Sequence, residues 1–265
     1  MKADLINVWG DDYTVAHNAW VSFGKEEGLG SDIASRRLIT TKEERIIKFL
    51  ARGMPLEEYE DLLADISEAS SLDHLHRMIT DWKRNPEHFA PFANGVGLQF
   101  YIEAPIPLMR QIFKHTVGFT QSEVSRRYVK DQPEVFYPEF RAMAENVKQG
   151  SSDTFIGDKI IGTTLNGNHY TVEGIYRAAA GMCLSIYKEM IAGGVAPEQA
   201  RFILPQGMMT AARISGSLYG WARFYNHRKP GTHAQKDLEP IVSGIAKAAS
   251  AHFPVSWRAL TDYDY

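Results

Sequence analysis

Arginines beside small polar side chains stand out in three separated blocks of this 265-residue sequence. The first block, at 109–129, carries four polar residues on the last turns of a predicted helix: Arg110, Gln111, Lys114 and His115. An irregular connection leads to a second polar group, made of Glu123, Ser125, Arg126, Arg127 and Tyr128. Such cations and donors suit a phosphate, because guanidinium groups offer paired, charge-assisted hydrogen bonds to its oxygens. Taken alone, the block also fits a solvated helix end followed by an ordinary strand.

The second and third blocks lie further along the chain. In the second, at 198–205, Arg201 stands beside an apolar run. In the third, at 216–240, cations and an amide accompany aromatic residues on a helix and follow a Pro-Gly turn: Arg223, His227, Arg228, His233 and Gln235. Aromatic rings beside cations can bind a planar ring together with its phosphate. A surface arginine and ordinary packing remain alternative explanations for each block by itself.

Familiar nucleotide and metal motifs are missing from the sequence. It contains no GxGxxG, Walker, HExxH or GxSxG pattern, and its nine histidines lack metal-ligand spacing, so we expect no metal site. The one cysteine, Cys183, lies in a helical pattern of apolar residues. We therefore expect a buried core thiol and not a nucleophile. A single thiol also suits a reducing cytoplasm.

Composition excludes some classes of function. The hydrophobic share of 44% and charged share of 23% are typical of a globular protein. A net charge of −3 counts against a role in coating nucleic acid, and a nucleic-acid module built on the arginines is the third-ranked possibility. The sequence has no uncharged apolar run of about 18 residues and no secretory pattern at 1–12, so we expect a cytoplasmic protein that does not contact membranes.

Hydrophobic periodicity places the polar blocks on a mixed framework of helices and strands. We expect strands at 4–9, 96–103 and 208–214. We expect helices at 14–21, 42–51, 107–115, 170–191, 217–225 and 234–251, with a further helical stretch at 55–82 and a short last helix from Pro254. Strands interspersed with long helices predict the α/β (α+β) class, as one domain over 1–265 with a mixed sheet flanked by helices.

Together the blocks resemble the flavin-dependent thymidylate synthases. The resemblance runs from about Asp4 to Trp257, apart from the stretch near 55–86, which resembles a helical insertion. Five segments carry it in order: AWVSF at 19–23, EAPIPLMRQIFKH at 103–115, SEVSRRYV at 122–129, ARFILP at 200–205 and HR…THAQKDL at 227–238. The pattern is similar to the phage-encoded branch of the family, which would place the protein in a host cytoplasm.

The sequence departs from the family pattern at several positions. The family signature is Arg-His-Arg, seven residues and Ser, whereas this chain has Lys114-His115-Thr116, eight residues and Ser125. Ser122 stands where an Asn usually precedes the motif glutamate. Three flavin-contacting positions of the family, Asn, Arg and Asn, fall on Ser217, Tyr219 and Arg223.

The resemblance implies a role for each matched residue. The deoxyuridylate (dUMP) site would consist of Gln111, Lys114, Glu123, Ser125, Arg127, Arg201 and Arg228, with Arg127 and Arg201 at the phosphate. FAD would lie near Lys114, His115, Thr116 and Glu123, and near Ser22, Ser217, Tyr219, Arg223 and His233. Arg228 is the implied catalytic residue: it would face the uracil and stabilise the negative charge that develops as N3 loses its proton.

The implied reaction is the reductive methylation of dUMP at C5 to dTMP. Methylenetetrahydrofolate would supply the carbon, NADPH the reducing equivalents and reduced FAD the hydride, with no cysteine nucleophile. Family members are homotetramers with sites at subunit interfaces, which would explain why the anion-binding residues come from separated blocks. The alternatives are a paralogue that acts on uridylate or forms 5-hydroxymethyl-dUMP, and a nucleotide-binding protein without turnover.

Overall fold

The computed structural model describes residues 1–21, 39–51, 90–145, 150–162, 169–232, 234–261 and 263. The predicted insertion at 55–86 and two predicted flavin contacts, Ser22 and His233, lie outside these residues. The described helices are α1 Asp12–Val21, α2 Thr41–Ala51, α3 Ile106–Phe113, α4 Val172–Ala192, α5 Pro197–Ala200, α6 Leu218–Arg228, α7 Glu239–His252 and α8 Pro254–Thr261. Two 3-10 turns join them, Arg201–Ile203 and Lys236–Leu238. The described strands are β1 Lys2–Trp9, β2 Gly97–Pro105, β3 Phe119–Glu123, β4 Arg141–Met143, β5 Ser151–Phe155, β6 Ile160–Gly162, β7 His169–Thr171 and β8 Met209–Ser217.

Four strands form the central sheet, in the order β1-β2-β8-β3, while β4 pairs with β5 and β6 pairs with β7. The mixed α and β class is confirmed. From the sequence we expect a sheet that mixes parallel and antiparallel strand pairs, but every strand pairing in the structure is antiparallel. The reason lies in β8. The unit β2-α3-β3 runs as a parallel crossover, and β8 inserts between its two strands, antiparallel to both.

The core lies between this sheet and helices α6 and α7. Along β2 the buried residues Leu98, Phe100 and Ile102 alternate with half-buried ones. Trp221 of α6 packs edge-on against Phe100, with ring centroids 4.9 Å apart, and its indole N–H donates to the carbonyl of Leu98 at 2.9 Å. The predicted apolar face of α7 is confirmed, because these residues are all buried: Leu238, Ile241, Val242, Ile245 and Ala249. This packing fixes α6, which carries several candidate site residues.

Helix α4 forms as the periodicity predicts, but it lies at the edge of the molecule. It packs against β7, α5 and the turn after α5, and only Ala180 and Tyr187 along its length are buried. The expectation of a core thiol is therefore wrong, since Cys183 is half-buried. The apolar spacing marks a face that the described residues cover only in part, with Met182 67% exposed. No helix in the described ranges is both long and apolar enough to span a bilayer.

The first stability prediction concerns Asp12, a carboxylate that is 3% exposed. It accepts hydrogen bonds from the backbone N–H groups of Val255 at 2.8 Å and Ser256 at 2.9 Å, and so caps α8 from a distant part of the chain. Asp12→Ala should lower the free energy of unfolding in urea by about 2 kcal/mol, because two buried donors lose a charged acceptor.

The neighbouring Asp11 provides the matched control. It is exposed and caps only its own helix, accepting from the N–H of Thr14 at 2.8 Å. Asp11→Ala should cost about 1 kcal/mol, as an ordinary exposed cap does. Equal losses in the two variants would contradict the role given to Asp12.

Candidate active site

Arg228 ends helix α6 and meets the residues that follow α3. Its Nε donates to His115 Nε2 at 3.1 Å, its Nη1 donates to Gln111 Oε1 at 3.1 Å, and its Nη2 donates to the Gln111 carbonyl at 3.3 Å. A guanidinium has five N–H groups. Two of them, one on each terminal nitrogen, therefore remain without a partner among the described residues. The residue is half-buried.

His115 accepts a hydrogen bond from the cation Arg228, and its surroundings keep the imidazole neutral. Burial lowers the pKa of His115 from 6.5 to about 4, and the positive charges of Arg228, His227 and Arg223 act in the same direction. The ring also packs edge-on against Phe224, with centroids 5.0 Å apart. A neutral imidazole can accept at Nε2 only when its proton is on Nδ1. The site thus fixes both the charge and the tautomer of this histidine.

The outer face of α6 continues this group. Tyr219, Arg223 and His227 follow one another at a spacing of four residues, so they share one helix face, and Arg223 and His227 are exposed. The Arg223 guanidinium lies 5.7 Å from the centre of the Tyr219 ring. Lys114 and Thr116, also exposed, border this face at the end of α3. These donors and rings fit a flavin, which combines a flat polar ring system with an anionic diphosphate.

The loop from α3 to β3 packs tightly on the start of α6. Ser217 caps α6, its Oγ accepting from the N–H of Gly220 at 3.1 Å, and its own N–H donates to the carbonyl of Gly118 at 3.0 Å. Gly118 has a φ of 77°, and a Cβ there would lie 2.7 Å from the Ser217 Oγ. Only glycine suits this position, and the close approach places Thr116 beside the face of α6.

Arg127 and Arg201, the predicted phosphate ligands, come together on a third residue. Arg127 forms an ion pair with the Glu198 carboxylate, at 3.5 Å from Nη2 to Oε2. The Nε of Arg201 donates to the Glu198 carbonyl at 3.2 Å. The pair is exposed, since the side chains of Arg127 and Glu198 are each 54% accessible. Both guanidinium groups thus contact Glu198, Arg127 at its carboxylate and Arg201 at its backbone carbonyl.

Two further predicted residues, Glu123 and Ser125, lie near the start of β8. Glu123, the last residue of β3, accepts at Oε1 from the hydroxyl of Thr210 at 2.8 Å. Ser125 accepts at Oγ from the N–H of Arg127 at 3.3 Å, which ties the hydroxyl to the arginine's own backbone. This second group therefore consists of Glu123, Ser125, Arg127 and Arg201.

The two groups remain separate within one chain. Among the described residues, no hydrogen bond or ion pair joins Arg127 or Arg201 to the group around Arg228. Strand β3 places them at opposite ends, because Phe119 pairs with Gly216 near α6 while Glu123 pairs with Ala212 near the start of β8. Four strand residues alone span about 14 Å.

The sequence did not predict several residues that contact the predicted site residues. Glu198 and Thr210 hold Arg127 and Glu123, and Asp237 contacts Gln235, which reaches Gln111. The sequence offered one signal for Glu198, namely its position three residues before Arg201. Asp237 lies two residues after Gln235 in the third block, but only the fold brings it into the network around Arg228.

We predict that His115 makes stability depend on pH. Its folded pKa of about 4 lies below 6.5, so the unfolded chain binds more protons between these values. The contribution to stability is therefore complete above pH 6.5 and is lost as the pH falls towards 4. The thermal midpoint of the wild type should drop from pH 7 to pH 5, and His115→Asn should drop less.

The control for this pH effect is His252→Asn, which removes an exposed histidine at the end of α7. It should keep the wild-type difference between pH 7 and pH 5. If His115→Asn shows the same difference as His252→Asn, the neutral state assigned to His115 is wrong.

An antiparallel sheet whose helices present arginines, a neutral histidine and aromatic rings defines an α/β protein built to bind a flat anionic ligand. Residues 4–255 match the family model described as thymidylate synthase complementing protein. A flavin-dependent thymidylate synthase from Kosmotoga olearia is 28% identical over 261 residues, covering 98% of this chain and 90% of that protein. One from Streptomyces avermitilis is 33% identical over 179 residues, covering 65% of this chain and 70% of that protein. The chain belongs to this family, and the predictions of the family and of an enzyme are confirmed.

A solved structure shows the same fold. It is that of a UMP/dUMP methylase, PolB, from Streptomyces cacaoi, bound with 5-Br dUMP. The TM-score is 0.62 at 19% identity, covering 99% of this chain and 95% of the other. The similarity extends over nearly the whole length of both chains, so the two proteins share the α/β arrangement described above.

Proposed function

We propose that this chain catalyses, in the cytoplasm, the reductive methylation of dUMP at C5 to dTMP with methylenetetrahydrofolate and NADPH. One observation carries the proposal: Arg228 is held by His115 and Gln111 so that two of its five N–H groups stay available. Two N–H donors on a fixed cation can bond to the edge of a pyrimidine, where N3 lies beside a carbonyl oxygen. The family membership supplies the class of reaction.

In this proposal the protein binds the two ends of dUMP with different groups. Arg228 faces the uracil, and its fixed charge stabilises the negative charge that develops when N3 loses its proton. Arg127 and Arg201 bind the phosphate, which displaces the carboxylate of Glu198 from Arg127. Gln111, Lys114, Glu123 and Ser125 complete the pocket. None of these residues acts as a covalent nucleophile.

The proposed flavin surface consists of His115, Lys114 and Thr116 with the α6 residues Tyr219 and Arg223, and Ser217 borders it. Glu123 belongs to the second group and would reach the flavin from another protomer. The cations suit the diphosphate of FAD, and the tyrosine ring suits a stacked ring. Bound FAD would supply the hydride that completes the methyl group. The residues of the chain would orient it, and His115, being neutral, accepts hydrogen bonds and adds no charge.

We further propose a homotetramer in which one protomer adds the Arg127–Arg201 pair to the Arg228 group of another. Two observations support this: the two groups are separate within one chain, and an apolar surface lies close to the pair. Helix α4 exposes Met182 and Ile186, and Phe202, next to Arg201, is 84% exposed. Exposed apolar patches of this kind are typical of interfaces, and a second copy that covers them would also complete the site.

The direct test uses purified protein reconstituted with FAD. It should turn yellow, and it should oxidise NADPH faster once dUMP and methylenetetrahydrofolate are added. Mass analysis should show a product 14 mass units heavier than dUMP, the mass of one added CH₂ group. Tight dUMP binding by calorimetry without any flavin binding would instead favour a nucleotide-binding protein without turnover.

Subunit complementation tests the shared site. At a dUMP concentration well below the wild-type KM, Arg228→Ala and Arg201→Ala should each retain only a small fraction of the wild-type activity as pure proteins. When the two are co-expressed and mix at random, about a quarter of the sites should combine an intact Arg228 with an intact Arg201. Activity should recover to roughly that fraction. If both residues of a site belong to one chain, the mixture will stay as inactive as its components.

Uridylate is the second candidate substrate, because the structural neighbour is named a UMP/dUMP methylase and is also solved with 5-Br UMP. The relatives with higher sequence identity, at 28% and 33%, are named thymidylate synthases, which favours dUMP. Competition between dUMP and UMP in one reaction, followed by mass analysis of both products, decides between them. The same spectra would reveal a 5-hydroxymethyl product.

A further inference from the structure

A chain of hydrogen bonds leads away from Arg228 to a buried ion pair. Gln111 accepts from Arg228 through Oε1, and its Nε2 donates to Gln235 Oε1 at 2.7 Å. Gln235 in turn donates from Nε2 to Asp237 Oδ2 at 2.8 Å. The other carboxylate oxygen of Asp237 accepts from Arg141 Nη2 at 3.1 Å. Two amides thus connect the catalytic guanidinium to a carboxylate.

Each amide in this chain has two possible orientations. A glutamine presents an acceptor at one end of its amide and a donor at the other, whereas a carboxylate offers acceptors only. Asp237 therefore requires the NH₂ group of Gln235, which turns the oxygen of Gln235 towards Gln111. That oxygen requires the NH₂ group of Gln111, which turns the oxygen of Gln111 towards Arg228. The carboxylate sets the orientation of both amides.

Asp237 is well placed to set this direction. Its side chain is 12% exposed and that of Arg141 is 15% exposed, so the ion pair is shielded from water. Arg141 starts β4 and also donates from Nε to the Ser151 hydroxyl at 3.1 Å, which holds its guanidinium in place. Leu238, the next residue after Asp237, is fully buried. The far end of the chain is thus rigid, while Gln235 itself is exposed.

We propose that Asp237 is a positioning residue, which acts through Gln235 and Gln111 to present a hydrogen-bond acceptor to Arg228 and thereby hold its guanidinium towards the substrate. Its catalytic consequence rests on the function proposed above; the hydrogen-bonded arrangement does not.

The variant Asp237→Asn should reverse the orientation of both amides. Arg141 is a donor, so it will attract the oxygen of the new amide and leave the NH₂ group facing Gln235. Gln235 must then turn its own oxygen towards residue 237, and Gln111 must turn its NH₂ group towards Arg228. Two donors would face each other, and Arg228 would move away from Gln111 and His115. Asp237→Asn keeps the size of the side chain, yet it should lower activity more than Asp237→Ala, which leaves both amides free to adopt either orientation.

The first measurement is the titration of His115 by NMR in protein carrying labelled histidine. Arg228 helps to hold the pKa of His115 at about 4. When Arg228 moves away in Asp237→Asn, that pKa should rise towards 6.5, although the loss of a negative charge alone would lower it. Asp153→Asn is the matched control: it removes another carboxylate from the same region, one that pairs with Lys236 and is 93% exposed.

A double variant distinguishes the orientation of the amides from the mere presence of a hydrogen bond between residue 237 and Gln235. Arg141→Met/Asp237→Asn removes the donor that turns the new amide, so the amide can offer its oxygen to Gln235 and the original direction returns. The pKa of His115 should then return towards its wild-type value. Arg141→Met alone should keep the wild-type titration, because the carboxylate still accepts from Gln235.

Steady-state kinetics add the catalytic readout. Asp237→Asn should lower kcat about tenfold, the effect of one lost hydrogen bond to a charged group, with KM for dUMP within about twofold of the wild type. An unchanged His115 titration in Asp237→Asn would overturn the proposal, and so would a raised pKa that the double variant fails to restore. If the titrations behave as expected but the wild type makes no dTMP, the arrangement stands and the proposed function fails.

Discussion

Arg228→Ala is expected to lower kcat/KM for dUMP by about 10²–10³-fold, in the range found when one preorganised donor to a developing charge is removed. The guanidinium contributes because its position is set before the reaction by His115 and Gln111. Burial also lowers the pKa of Arg228, yet a guanidinium stays protonated, so its charge is constant across the working pH range. The loss should fall mainly on kcat, since the charge at N3 develops only during the reaction.

Two further variants define what Arg228 provides. Arg228→Lys keeps the charge but not the planar fork of donors, so most of the activity should still be lost. Arg126→Ala removes an arginine whose guanidinium contacts the backbone carbonyl of Asp131, and it should stay within about twofold of the wild type. Circular dichroism and FAD absorbance should show that Arg228→Ala folds and binds flavin. Wild-type turnover in Arg228→Ala would remove this residue from its assigned role.

Arg127→Ala and Arg201→Ala should each raise KM for dUMP by about 10–100-fold with a smaller change in kcat. A hydrogen bond to a charged group contributes about 1.5–3 kcal/mol, and the phosphate is bound equally before and during the reaction. Both arginines already contact one residue, Glu198, so their side chains reach a common region of the surface. The phosphate would take the place of the Glu198 carboxylate there.

A substrate analogue provides the control for the phosphate assignment. Deoxyuridine lacks the phosphate, so its binding should be equally weak in the wild type, Arg127→Ala and Arg201→Ala when measured by calorimetry. Glu198→Gln should lower KM for dUMP, because the competing carboxylate is gone while the side-chain size is kept. Equal losses for dUMP and deoxyuridine in the arginine variants would show that these residues do not bind the phosphate.

The periodicity of apolar residues predicted the helices and strands well where the element packs its apolar face against the rest of the fold. In α7, Ile241, Val242, Ile245 and Ala249 recur at helical spacing and are buried, and β2 alternates as a half-buried strand does. The periodicity could not tell what covers a face. Helix α4 shows the same kind of pattern as α7, yet Met182 is 67% exposed, because the described residues pack against only part of that face.

By itself the sequence determined the framework of helices and strands and, through its resemblance, the family and the residue types of the site. These are local properties, carried by spacing and by short motifs. Only the tertiary structure decided that β8 separates β2 from β3, that Arg228 lies against His115 and Gln111, and that Arg127 and Arg201 gather elsewhere around Glu198. The reason is that strand pairing and side-chain contacts join residues more than 70 positions apart, and their selection depends on how the whole core packs.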